Sequence, residues 1–152
     1  MLRAGALTAL AVGVAPITGC DIFDSAPERN PAAEQVAPLI KDALDLAARY
    51  TATVAGYPEL ADRLDPVAEA HRAHAGELAR ATGAALPSPT PSGAVSPPPP
   101  TGDVKAALAE LRAAEQQART AAVRACLDAP AERAALLGSI AAARTTHLEV
   151  LR

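Results

Sequence analysis

Aromatic residues are nearly missing from this 152-residue chain: tryptophan is absent, and Phe23, Tyr50 and Tyr57 make up the whole inventory. A sheet sandwich or barrel covers its faces with aromatic and β-branched side chains, so that architecture is excluded on composition. Cysteine is scarce as well, with Cys20 and Cys126 alone, which rules out a small fold stapled by several disulfides. There is no excess of positive charge, since 14 Lys and Arg stand against 17 Asp and Glu. The basic footprint of a nucleic-acid binder is therefore lacking. What fills the chain is alanine, at 40 residues. Alanine with scattered Leu and Val favours close-packed helices.

The first twenty residues read as a targeting segment. Arg3 is the only charge before Asp21, and the uncharged run from Ala4 to Cys20 contains Gly5, Gly13 and Pro16. At 17 residues it is short and broken for a membrane-spanning helix. A charged start, an apolar middle and a small-residue end are instead the parts of a signal peptide, here residues 1–19. Asp21–Asn30, DIFDSAPERN, has no apolar period and carries Pro27, as a tether does; tether and Cys20 together take up residues 20–32. With Cys20 at the head of the tether, Cys126 is the one cysteine of the helical region and has no partner there. Its helical surroundings favour an inert, half-buried thiol over an intermolecular bridge.

Four helical segments follow. The first spans about Pro31 to Ala55, with Asn30 and Pro31 as cap and first-turn pair and Gly56 as the stop. Pro38 inside it predicts a kink or a later start. The second spans about Pro58 to Thr82 and ends at Gly83, with Asp65-Pro66 as an alternative start. The third spans about Asp103 to Leu127, and the fourth about Pro130 to Arg152. Links of a few residues imply antiparallel hairpins, first with second and third with fourth.

The middle link, residues 84–102, holds seven prolines. Extended at about 3.1 Å per residue it reaches about 60 Å, more than the roughly 35 Å of a twenty-odd-residue helix. It is long enough to cross the bundle and leave the second and third helices parallel. The reading as a semi-rigid strap is preferred here to a ligand for a proline-recognising domain. Ser88, Thr90, Ser92 and Ser96 within it are candidate glycosylation sites, although such composition more often marks plain disorder.

Apolar positions recur in steps of three and four. The stripes are Val36, Ile40, Ala43, Ala47, Tyr50, Val54; then Leu60, Leu64, Val67, His71, His74, Leu78; then Val104, Leu108, Leu111, Glu115, Ala118, Ala122; then Leu136, Ile140, Ala143, His147, Val150. All three histidines and one glutamate thus occupy seam positions. Buried imidazole and carboxylate are costly unless paired, and together they suit Zn²⁺, Fe²⁺ or Mn²⁺. His71, His74, Glu115 and His147 are therefore candidate ligands of a single divalent metal. The competing reading is a structural polar layer, with Arg144 as an ion-pair partner for Glu115 and a repeller of cations. Counting from the helix starts also places His147 about a turn and a half from His71, away from a compact ligand set.

The tetrapeptide Ile17-Thr18-Gly19-Cys20 resembles the lipobox of bacterial lipoproteins. That resemblance implies cleavage after Gly19, a diacylglyceryl group and palmitate on Cys20, and a lipid anchor on the extracytoplasmic face of the cell membrane. The lipobox, the paired helices with a Pro-rich crossover, His71-Arg72-Ala73-His74, and Leu137-Gly138-Ser139-Ile140-Ala141-Ala142 through His147 are similar to a family of small actinobacterial lipoproteins. These carry a ferritin-like domain of unassigned function, and the similarity covers most of residues 33–152. The fold it implies is an all-α, ferritin-like four-helix bundle.

Ferritin chemistry does not follow. A di-iron bundle needs one Glu from each of two helices and Glu-x-x-His from each of the others. Here His71 and Arg144 stand three residues before His74 and His147, the first helix has no seam carboxylate, and Glu69 and Glu77 lie off the seam. Nucleophile–base arrangements and Gly-rich phosphate loops are missing too. The expectation is a non-enzymatic, membrane-anchored binding or structural bundle. A mononuclear metal-binding bundle is the alternative. A third class is a homodimer pairing an exposed stripe such as Leu39 and Leu46.

Overall fold

The computed structural model describes residues 29–87 and 102–152. The leader, Cys20, the tether up to Glu28 and the centre of the Pro-rich link lie outside the described residues. Within them the chain is all-helical, with no strand: α1 Pro31–Gly56, α2 Ala61–Thr82, α3 Val104–Leu127 and α4 Ala131–Val150, plus a 3₁₀ turn at Pro58–Leu60. No described helix is long and apolar enough to cross a membrane.

The ends follow from local chemistry. The Asn30 side chain accepts from Ala33 N–H at 3.1 Å, with Pro31 in the first helical position. Asp103 does the same for Ala106 at 2.8 Å. Each satisfies an amide that the helix start would otherwise leave unpaired. Gly83, at φ 65°, closes α2 in the left-handed conformation that a Cβ disfavours. Pro38 and Pro66 interrupt neither helix. Both are exposed, so the carbonyl that loses its amide partner one turn earlier can be hydrated.

Helix α1 packs against α2 and α3, and α4 packs against α2 and α3. Three contacts tie the ends together. Asn30 Nδ2 donates to the Thr82 carbonyl at 2.8 Å, joining the start of α1 to the end of α2. Tyr57 Oη donates to the Gly102 carbonyl at 2.7 Å, joining the end of α1 to the entry of α3. Arg133 donates to Gln35 at 3.1 Å, joining the first turns of α4 and α1.

The interior falls into two apolar clusters. One gathers Val36, Leu39, Ile40, Leu78, Leu137 and Ile140 around buried alanines. The other gathers Leu46, Tyr50, Leu64, Val67, Leu111 and Leu151. Alanines 43 and 75 are wholly buried, so small side chains let the helices approach closely where larger ones would hold them apart.

Two expectations about faces are corrected. Leu39 and Leu46 are 7% and 3% exposed; they belong to the core and offer no stripe for a second copy. In α4 the buried residues are Leu137, Ile140, Ala141, Arg144 and His147, with Leu151 just beyond. Leu136, Ala143 and Val150 are only half-buried. Between Arg133 and Arg144 this helix has no charged residue, so periodicity alone has nothing with which to choose a face.

Candidate functional site

Between the two apolar clusters lies a layer of polar side chains contributed by all four helices. Its centre is Glu115 on α3, fully buried. One carboxylate oxygen, Oε2, accepts from His71 Nε2 of α2 at 3.0 Å and from Tyr50 Oη of α1 at 3.3 Å. The other, Oε1, accepts from His147 Nδ1 of α4 at 3.2 Å. An ionised carboxylate only accepts, so both facing imidazole nitrogens are the protonated ones.

The electrostatics follow from burial and pairing. Burial pushes the Glu115 carboxyl up, but the hydrogen bonds and charges of His147 and His71 outweigh it and bring it down to about 2. Burial lowers His71 below the usual histidine value despite the neighbouring carboxylate. It lowers His74 to about 4, helped by repulsion from His71, His147 and Arg144. Burial, and then Glu115, push the Tyr50 phenol up, so it remains a donor.

Of the candidate ligands, the structure brings three together. The ligand atoms of His71, Glu115 and His147 all lie within 4.8 Å of one another, and all three residues are buried. The rings of His71 and His147 stand 4.8 Å apart, centre to centre. Counting from the helix starts had separated them. The difference arises because side chains lean toward the N-terminus of their own helix. On α3 and α4, packed together and joined by three residues, the side chains of Glu115 and His147 meet at 3.2 Å. His74 is not in the compact set. It is half-buried, with its ring 6.1 Å from that of His71 and 6.0 Å from that of His147.

Arg144 departs furthest from expectation. It is 1% exposed, yet it makes no ion pair with Glu115, and its Nε and Nη1 atoms have no hydrogen-bond partner. Burial lowers its pKa, while Glu115 and Asp42 hold it up through their charge; a guanidinium stays cationic in either case. The Nδ1 atoms of His71 and His74 are also buried and without partners. In sequence Tyr50 reads as an ordinary seam residue. The one available hint was a phenol among alanines on a stripe that meets Glu115.

Cys126 sits outside this layer, half-buried, with its thiol directed at the Ala134 carbonyl at 3.4 Å. No protein-family model, curated protein or solved structure matches the chain.

Proposed function

We propose that the chain is a cell-envelope lipoprotein, acylated at Cys20 and held on the extracytoplasmic face of the membrane. Its domain is a ferritin-like four-helix bundle of two antiparallel hairpins with a Pro-rich crossover, and its role is non-catalytic binding or structure. The observation that carries the non-catalytic part is the state of Glu115. Three donors from three helices occupy its two oxygens, and it has no exposed surface. Among the described residues it is the only buried carboxylate, whereas a di-iron bundle uses four.

The bundle topology is supported by the end-to-end contacts. The crossover leaves near Thr82, beside Asn30, and returns at Gly102, beside Tyr57. The two ends of the link thus lie at opposite ends of α1. For the anchor, the support is the Ile17–Cys20 tetrapeptide. Two acyl chains hold a protein on a bilayer stably where one does not.

The test is palmitate labelling with detergent-phase partitioning of the full chain and of Cys20→Ala. The full chain is expected to take label and enter the detergent phase, and the variant to do neither. Equal partitioning of the two would refute the anchor.

A further inference from the structure

The geometry points to a mononuclear site for a divalent first-row transition metal, Zn²⁺ or a similar ion, held by His71 Nε2, His147 Nδ1 and a Glu115 carboxylate oxygen. This inference does not depend on the envelope assignment.

The convergence of the ligand atoms carries it. Ligands about 2.0–2.1 Å from a tetrahedral zinc stand about 3.3 Å from each other. Here the two N···O separations are 3.0 and 3.2 Å, and the whole set lies within 4.8 Å. The two short separations run to different carboxylate oxygens, so side-chain rotations that bring the widest ligand pair in by up to about 1.5 Å would close the set around an ion. Two imidazoles and one carboxylate are the donor types this class of metal prefers. They are carried by three separate helices, with α4 packed against both α2 and α3, which fixes their spacing before any ion arrives.

The proton balance is also met. In the layer as it stands, His71 Nε2–H and His147 Nδ1–H point at the carboxylate. Metal binding needs those nitrogens bare, so each neutral ring moves its proton to its other nitrogen and none has to leave the protein. On His71 that nitrogen, Nδ1, is buried and has no partner. The present hydrogen bonds thus keep the ligand atoms facing one point.

Arg144 sets the strength of the site. Its guanidinium, buried one turn before His147 on the inner face of α4, is a fixed positive charge beside the ligands. A cation so close opposes a second cation, so the site is weak and exchangeable. Removing that charge should tighten it.

The experiment titrates Co²⁺ alone into the metal-stripped full chain. The expected result is one Co²⁺ per chain, with the visible bands of a nitrogen–oxygen set and no thiolate charge-transfer band from Cys126. His147→Ala and Glu115→Gln should each weaken binding by more than about 100-fold with helicity retained, and Arg144→Met should tighten it by about tenfold. Should a ligand variant unfold, the histidine proton resonances of the unaltered protein decide. Bound Co²⁺ must then perturb those of His71 and His147. The proposal is overturned by an absence of saturable binding, by ligand variants that bind as the parent does, or by perturbation confined to His74.

Discussion

Replacing Glu115 by leucine removes the acceptor around which the polar layer is organised, while nearly conserving side-chain volume. The cost is therefore one of unpaired groups, with only a small cavity contribution. Tyr50 Oη, His71 Nε2 and His147 Nδ1 all donate to this carboxylate. Each buried donor left without a partner costs about 1–3 kcal/mol. The imidazoles recover part of that by changing tautomer, whereas the phenol has no such recourse. Arg144, already without hydrogen bonds at Nε and Nη1, also loses the one buried negative charge near it. The three donors together stand to lose about 3–9 kcal/mol before tautomer relief. We expect a loss of about 4 kcal/mol, a large share of the 5–15 kcal/mol typical of a domain. Urea denaturation followed by helical circular dichroism measures it. With a slope of about 1.5 kcal/mol/M, the midpoint should fall by about 2.7 M. An unchanged or raised midpoint at constant slope would show that the layer is replaceable by apolar packing, and the reasoning about Glu115 would be wrong.

Three further outcomes are expected. Stability should fall on acidification. The lowered pKa values of His71 and His74, the latter about 4 against 6.5, mean that the unfolded chain binds protons first. The stability is therefore complete above pH 6.5 and lost as pH drops toward 4. Glu115, at about 2 against 4.5, continues the loss in the same direction below that. A urea midpoint that is flat or rises between pH 6.5 and 4 would contradict this. Asn30→Ala removes both the cap on α1 and the bond to Thr82, and should cost about 1–2 kcal/mol in denaturant unfolding. Gly83→Ala should cost about 1 kcal/mol from the positive φ alone, because the nearest atom to an added Cβ, Asn30 Nδ2, is at an ordinary 3.5 Å; a neutral result would mean the turn relaxes out of the left-handed region.

Much of the helical organisation is local chemistry and therefore legible in sequence. Asn30-Pro31, Asp103 and Gly83 mark ends that the structure reproduces, because capping depends on a few adjacent residues. The two internal prolines misled, since a proline breaks a helix less when its side faces solvent, and exposure is a tertiary property. The polar seam positions could be read as well: His71, Glu115 and His147 interrupt apolar stripes where any buried polar group needs a partner. His74 lies on the same stripe but at its edge, and only packing separates edge from centre.

By itself, the sequence determined the all-helical class, most helix ends and the identity of three residues of the polar layer. These follow from alanine content, capping side chains and three–four periodicity, all of which act within a turn or two of the chain. Tertiary structure alone decided which face α4 buries, that Leu39 and Leu46 go inside, that Tyr50 joins the layer, and that Arg144 is enclosed without a hydrogen-bonded partner. It also decided that His71 and His147 meet. Each of those depends on how side chains from different helices lean and fill one shared interior, and no single helix encodes that space.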